Sequence, residues 1–500
     1  MGVTYVTTPI YYPNDRPHIG HAYTTVMADV VARWRRLLGD DVFFLTGTDE
    51  HGLKLQREAE KRGKDPKSFV DEMSEIFKQY WKLLEISYNH FIRTTDDYHV
   101  EGVRKALSYI HSKGLIYRGV YRGWYCTSCE KFYSEDEYVV VEGKKLCPIH
   151  GKELEFVEEE TYFLKLSEYE DYVKKVLQSD IVVPRSYARE VLAKLEKEGL
   201  RDLSITRPRE RVYWGIEAPW DPRHTVYVWI DALLNYVTAI GYGRDEQRLR
   251  YWWPNVHHFI GKDILWFHTA VWFALLAMLD LPPPRKLIVH AFIVLRGRKM
   301  GKSAGNVVTI DELVQRYGGA DPVRYLLMRF SSLEKDIEFS VEQLDAAYNS
   351  ELADTFGNLV RRLGVLALKK LNGVVSPQPI DEELSNVVAK AVNRAREAME
   401  GFRFSEALIA IFDVFREINA YLNRTEPWRC SNPEKPLYNA FEALRIGVSM
   451  LYPFMPATAQ VVEQSLGVPV SPADQWSMDT SREYRVREAP ILFKKISSQS

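Results

Sequence analysis

Four cysteines in 500 residues are too few, and too clumped, for a disulfide framework: Cys126, Cys129 and Cys147 cluster and Cys430 stands alone. Nor is there an excess of either charge, with 66 Lys+Arg against 68 Asp+Glu and a formal net charge of -2. No bulk positive field draws a polyanion in, so a nucleic-acid partner would have to meet a local basic face. The longest apolar run, Ile264 to Leu279, is shorter than a membrane span and carries His268 and Thr269, which makes it a core helix; no membrane partner is expected. The start, MGVTYVTTPI, lacks the basic stretch and apolar run of a secretory signal, so the expected location is a reducing cytoplasm. No GxxxxGK[ST] phosphate loop occurs, which weakens an ordinary NTPase reading. Internal repeats and low-complexity tails are missing too. What remains is an ordinary globular balance, 46% hydrophobic and 27% charged, in a chain long enough for several domains.

Residues 3–8 (VTYVTT) read as a buried strand, followed by a proline-rich loop from Pro9 to Pro17. A helix then starts near Pro17 or His18 and ends before Gly39, because Ile19, Tyr23, Val26, Val30, Trp34 and Leu37 recur every three or four residues. DVFFLTG (41–47) is a second strand, closing a strand–helix–strand unit that predicts a parallel sheet. Ligands bind beyond the carboxyl ends of such strands, where the 9–21 and 48–52 segments would lie. Strand-like segments resume at Thr225–Ile230, His257–Ile260 and Leu287–Val294, and after about 330 the periodicity is helical. The expected fold is α/β: a Rossmann-like catalytic domain in two halves (1–117 and 213–330), interrupted by a connective insert (118–212) and followed by an all-α helix bundle (331–500).

Three constellations carry chemistry. His18-Ile19-Gly20-His21 puts two imidazoles at i and i+3 in the first turn of a helix, where free N–H groups and the dipole favour anions. Gly20 would let a flat base approach the backbone. Lys299-Met300-Gly301-Lys302-Ser303 offers two lysines suited to a polyphosphate leaving group. Alone, the first reads equally well as a pair of surface or capping histidines, and the second reads more readily as a solvated basic turn. The third constellation, Cys126-x2-Cys129 then Cys147-x2-His150, has the spacing of a closed tetrahedral zinc site, hence one structural zinc.

In this order the first two motifs resemble the HIGH and KMSKS signatures of class I aminoacyl-tRNA synthetases, the second with Gly301 in place of the first serine. A further Gly261-Lys262-Asp263 resembles the family's GKD segment. The resemblance to the methionyl-tRNA synthetase family runs through TPIYYPN (8–14), TGTDEHG (46–52), YVWIDA (227–232), FIGKDI (259–264) and WFH (266–268). It implies an enzyme that activates L-methionine with ATP and Mg, then loads the methionine tRNA, initiator and elongator. By this likeness His18, Gly20, His21, Gly261, Lys262, Asp263, Lys299 and Lys302 bind ATP, with His18, His21, Lys299 and Lys302 catalytic. Ile10, Tyr12, Trp229, Ala232, Leu233, Tyr236, Ile264 and His268 would line the methionine pocket, and Asp49 would pair with the substrate ammonium. Many members have cysteine as the last metal ligand where this chain has His150.

Ala353 to Arg362 (ADTFGNLVRR) resembles the family helix facing the anticodon, and Glu426-Pro427-Trp428 the segment that supplies a stacking aromatic; Asn358, Arg362 and Trp428 are the implied anticodon contacts. The leucine, isoleucine and valine enzymes share both signatures but carry a much larger insert than residues 118–212. Nucleotidylyltransferases also use HxGH, and lack the lysine loop, the insert and the helical tail. A relative that binds tRNA without activity would show damage at His18, His21, Asp49, Lys299 or Lys302, and all are intact. No oligomerisation module follows the helical part, so a monomer is expected.

Overall fold

In a computed structural model of the chain, residues 2–133, 137–295, 298–299, 308–338 and 340–497 are described. The framework is a six-stranded, wholly parallel sheet built from β1 (Val3–Tyr11), β2 (Asp41–Thr48), β3 (His90–Arg93), β4 (Val182–Val183), β5 (Val256–Gly261) and β6 (Lys286–His290), in the order β3-β2-β1-β5-β6-β4. From β1 the chain winds outward through β2 and β3 on one side, then returns to lay β5 and β6 on the other. The strand order therefore reverses between β1 and β5, the place where open α/β sheets hold ligands.

A local defect widens that place. β1 pairs with β5 only through Tyr5, Val6 and Thr7, while its pairing with β2 skips Thr8-Pro9 and resumes at Ile10 and Tyr11. Pro9 has no N–H to give a ladder, so the strand bulges there and re-aims the residues that follow. β1 and β5 part company just where the crevice begins.

Helix α1 (Ile19–Leu37) crosses from β1 to β2 with the expected apolar face buried, and Gly39 follows it in a left-handed conformation (φ 89°). Two expected strands are shorter than the sequence suggests. Thr225–Ile230 is strand only to Val226, within the three-stranded sheet of Thr206–Pro208, Glu217–Ala218 and Asp221–Val226; helix α2 (Val228–Thr238) then begins. α2 is buried nearly all round, so its run of apolar residues shows neither period clearly, and tertiary burial overrides the β preference of Val228 and Ile230. Leu287–Val294 likewise breaks after His290, and a separate short strand starts at Ile293.

The stretch expected as the insert holds a four-stranded antiparallel sheet, Leu203–Ser204, Glu155–Leu164, Ile116–Cys126 and Lys131–Tyr133 in that order, and between its strands the chain passes through two helices and returns β4 to the edge of the parallel sheet. Toward the C-terminus come α3 (Ala320–Arg329), α4 (Asn358–Leu371), α5 (Glu382–Glu400), α6 (Phe404–Thr425) and α7 (Glu434–Leu451). One apolar core runs without a break from α1 into these helices; Trp34 of α1 packs on Trp476 with ring centroids 5.1 Å apart. At that junction Asp29 of α1 is fully buried and bonded to Arg324 of α3 (2.7 Å), to Arg33 (2.8 Å) and to Ser87. Burial alone would raise the Asp29 carboxyl; Arg33 and Arg324 overcome that and hold it down at about 2. Arg324 also donates to the carbonyls of Leu84, Pro453 and Phe454, so every side of this buried charge is satisfied. Among the described residues no helix is long and apolar enough to cross a membrane.

Candidate active site

A cavity of about 470 Å³ opens between the carboxyl ends of β1 and β5. His18 is the N-cap of α1: its Nδ1 accepts from the Gly20 N–H (3.0 Å), and the His18 N–H donates to His21 Nδ1 (3.2 Å). Imidazoles thus play the part that Ser and Glu usually play in a reciprocal cap. With both Nδ1 atoms accepting, the network assigns the protons to Nε2, leaving two neutral N–H donors. The rings stack at 3.8 Å, and burial, with His18 beside it, pushes the His21 imidazole well below its ordinary range. A Cβ at Gly20 would lie 2.8 Å from His18 Cε1, so the glycine is needed first by the His18 ring itself.

Asp49 follows β2, 6% exposed, and its Oδ1 has no partner among the described residues. Burial, then the charges of Asp231, Glu130 and Glu50, push its carboxyl well above the ordinary range. The residues around it are tied down. Glu50 takes a bidentate bond from Arg93 (2.7 and 2.9 Å) and further bonds from Thr48 and Thr95. His51 reaches Asp231 (2.6 Å), which His99 meets from the other side (2.7 Å). Burial would raise Asp231, but His51 and His99 outweigh it and its carboxyl is lowered. A rigid loop therefore presents to the cavity a buried acid with one unpartnered oxygen among the described residues, an arrangement that suits a cation.

The opposite wall is apolar and aromatic. Ile10, Tyr12, Trp229, Ala232 and Leu233 line the cavity with Tyr236, Ile264 and His268. Trp229 stacks on Phe267 at 4.1 Å and 5°. A single π-helical turn, Phe267–Val271, carries His268, whose Nδ1–H donates to the Ile264 carbonyl (3.1 Å) while Nε2 accepts from the Tyr236 hydroxyl (2.8 Å). Burial lowers His268 to about 4, so the ring is neutral at physiological pH. Gly261 and Asp263 line the same space; Lys262 is not in the lining and pairs with Asp336 (2.7 Å). Lys299 lies in the short strand Arg298–Lys299, while its side chain and Met300, Gly301, Lys302 and Ser303 lie outside the described residues.

The four metal-site residues converge above the cavity, their donor atoms all within 4.8 Å of one another. Cys129 Sγ is 3.4 Å from Cys147 Sγ and 3.1 Å from His150 Nδ1, and Cys147 Sγ is 3.7 Å from His150 Nδ1. A tetrahedron with Zn–S bonds of about 2.3 Å has edges of about 3.8 Å, so these donors stand near the corners that a metal ion needs. The Tyr133 hydroxyl reaches both Cys129 (3.1 Å) and Cys147 (3.5 Å) as an outer partner. Tyr133, Ser128, Ile149 and His150 also line the cavity, so the knuckle is part of its rim.

In the helical part, Asn358, Arg361, Arg362 and Trp428 line a surface hollow of about 370 Å³. The Arg362 guanidinium sits 4.4 Å over the Trp428 ring and donates to Asn423 (3.0 Å).

Sequence reasoning assigned no role to His99, Asp231 or Tyr133, although Asp231 lay inside a quoted motif. Asp231 and His51 are 180 residues apart in sequence. No local pattern marks such a pairing.

A family model described as tRNA synthetases class I (M) matches residues 4–364, and one described as the anticodon-binding domain of tRNA ligase matches 381–489. The methionine–tRNA ligase of Caldanaerobacter subterraneus subsp. tengcongensis is 43% identical across 98% of this chain and 78% of its own length. That of Thermotoga maritima is 40% identical across 99% and 80%. The Mycobacterium tuberculosis methionyl-tRNA synthetase, solved in complex with methionyl-adenylate, superposes with a TM-score of 0.93 at 34% identity, covering 99% of this chain and all of that one. Likeness so long and so even, at the level of both sequence and fold, means that the chain belongs to the methionine–tRNA ligases, the methionine branch of the class I tRNA synthetases.

Proposed function

We propose that the chain activates L-methionine with ATP to methionyl-adenylate and transfers the methionyl group to the 3′ end of the methionine tRNA, initiator and elongator alike. The observation that carries this reading is Asp49: a buried carboxylate whose Oδ1 has no partner among the described residues, facing an aromatic cavity whose other mouth is the capped start of α1. An α-ammonium completes Asp49, and a thioether suits the Trp229, Tyr236 and His268 wall, being apolar and polarizable. With the ammonium held, the amino-acid carboxylate is directed toward His18 and His21.

In the first step a carboxylate oxygen attacks the α-phosphorus of ATP, the Pα–O–Pβ bond breaks, and pyrophosphate leaves with the electron pair. The Nε2–H groups of His18 and His21 and the N-terminal amides of α1 donate to phosphate oxygens as charge builds, which is stabilisation by fixed dipoles. Gly20, Gly261, Lys262 and Asp263 are assigned to the nucleotide, and Lys299 and Lys302 to the leaving phosphates. Mg travels with ATP. In the second step a terminal ribose hydroxyl of tRNA attacks the activated carbonyl and AMP leaves; positioning supplies most of the rate.

The thiolate-rich donor set of Cys126, Cys129, Cys147 and His150 favours zinc, which with four protein ligands serves structure alone. Asn358, Arg362 and Trp428 are assigned to the anticodon, since a stacked aromatic beside a guanidinium suits an unstacked base. We divide the chain into catalytic halves 1–117 and 213–330, the insert 118–212 and the helical part 331–500. A monomer in the reducing cytoplasm is the proposed working form. ATP–pyrophosphate exchange with each amino acid in turn tests the reading. Methionine should dominate; a preference for isoleucine, valine or cysteine by about tenfold in kcat/KM would overturn it.

A further inference from the structure

The helix Leu53–Lys61 starts directly after the loop that carries Asp49, and its N-cap residue is Gly52, which has no side chain to cap it. The missing cap comes from the insert. Glu130, next in the chain to Cys129, is 3% exposed, and its Oε1 accepts the Lys54 N–H at 2.5 Å. Gly52 is in the left-handed region (φ 105°), and a Cβ there would lie 2.5 Å from Glu130 Oε2 and 2.9 Å from the Tyr12 hydroxyl oxygen. The space a side chain would fill is thus shared by the Glu130 carboxylate and the phenol of a cavity-lining tyrosine. The Lys54 ammonium lies over the Tyr12 ring, 5.3 Å from its centroid, closing the group from the other side. Glu130 itself holds a left-handed backbone (φ 50°), a conformation that persists in a non-glycine residue only where its surroundings impose it.

We infer that Glu130 is a positioning residue that sets the amino-acid cavity from the metal knuckle: its carboxylate, seated over Gly52 beside the Tyr12 ring and on the Lys54 N–H, fixes the helix start that follows the Asp49 loop and so the geometry that receives the substrate ammonium. This rests on the proposed function only in taking methionine as the ligand of that cavity. The knuckle then does more than roof the site. Its fold ends in an acceptor oxygen placed on the helix that follows the ammonium-binding loop, and Gly52 is the residue that makes room for it.

The test uses the full chain with its metal, as E130Q, E130D and E130A. Metal per chain comes from atomic emission, methionine affinity without ATP from tryptophan fluorescence, and KM and kcat from pyrophosphate exchange. E130D keeps a carboxylate but withdraws it by one methylene; E130Q keeps both reach and acceptor oxygen. E130D and E130A should raise the methionine KM and dissociation constant about tenfold, the effect of losing the one hydrogen bond that the Lys54 N–H makes, which the amide oxygen of E130Q can still accept. Their kcat and ATP KM should stay within about threefold of the parent, and E130Q should lie within about threefold throughout. Unchanged methionine affinity in E130D overturns the inference. So does a loss confined to kcat, which signals fewer folded molecules, a loss that tracks missing metal, or a failure of E130Q to restore affinity. If the parent chain prefers another amino acid, the proposed function falls, and the Glu130 comparison is read with that amino acid instead.

Discussion

Asp49→Asn separates binding from stability, because the same carboxylate that serves the substrate burdens the empty protein. Asparagine keeps the shape and one acceptor oxygen but removes the charge. What is lost is the charge assistance of a hydrogen bond to ammonium in a site only 6% exposed; bonds to charged groups contribute about 1.5–3 kcal/mol against about 0.5–1.5 for neutral ones, a difference of about 1–1.5 kcal/mol. At about 1.36 kcal/mol per decade, methionine kcat/KM in pyrophosphate exchange should fall roughly 5- to 13-fold, with the ATP KM little changed. Without ligand the sign reverses. Burial, followed by Asp231, Glu130 and Glu50, raises the Asp49 carboxyl in the folded state above its unfolded value. The folded protein therefore keeps a proton that the unfolded chain releases. That contribution to stability is complete below the unfolded pKa and is lost as pH rises through the folded one. The Asn variant lacks this loss, so at pH 8 and without methionine it should melt higher than the parent, by about 1 °C for each kcal/mol gained in a chain of 500 residues. Methionine should stabilise the parent by about 2.7 kcal/mol at 100 times its dissociation constant, and the variant far less at the same concentration. Retention of methionine kcat/KM within about threefold, or a lower melting point for the ligand-free variant at pH 8, would refute the reasoning.

His21→Ala removes one of two neutral donors and should slow single-turnover adenylate formation about 10²–10³-fold while methionine affinity holds; because burial keeps the His21 imidazole well below its ordinary range, the parent rate should show no titration of this ring between pH 6 and 8. Purified protein should carry one zinc per chain, and His150→Ala should release it at a lower chelator concentration, with local unfolding of a site whose metal contributes on the order of 10 kcal/mol; a variant that keeps zinc as tightly removes His150 from the ligands. Trp428→Ala should cut tRNA charging about tenfold, as loss of one stacked base does, and leave exchange without tRNA intact; equal losses in both assays would make Trp428 a packing residue.

Much of the fold was legible where periodicity is clean. α1 carries large apolar residues at every third or fourth position and small or polar ones between them, and the β1–α1–β2 unit follows from that period even though residues 22–32 are buried on every side. Legibility failed at α2, where burial on every side erases the polar stripe that distinguishes helix from strand. At the site, the residues named from the family likeness on β1, α1, β2 and α2 come together in one cavity, because each lies near an element end at the same edge of the sheet. The Asp231 pair with His51 and His99 was not legible, and neither was the reach of Tyr133 and Glu130 from insert to site. These depend on contacts between segments far apart in sequence, and a buried Glu or Tyr has no local signature to announce its partner. Lys262 shows a subtler gap: a motif gives the residue type, while its ion pair with Asp336 belongs to a segment 74 residues on.

The unbroken core between α1 and the helices beyond residue 310 ties the packing of the two halves of the molecule together. α1 is about 28 Å long at 1.5 Å per residue; its first turn carries the imidazoles, and its middle carries Asp29, gripped by Arg324, whose other bonds run to carbonyls at 453 and 454. A chain cut near residue 330 would not be a smaller catalyst. It would leave the Arg324 guanidinium short of two acceptors and Trp34 without Trp476, exposing apolar surface on the very helix that holds the reactive end. Drift in the helical part is therefore constrained by chemistry it never touches: each destabilising change among α5, α6 and α7 lowers the fraction of molecules whose His18 and His21 are correctly stacked.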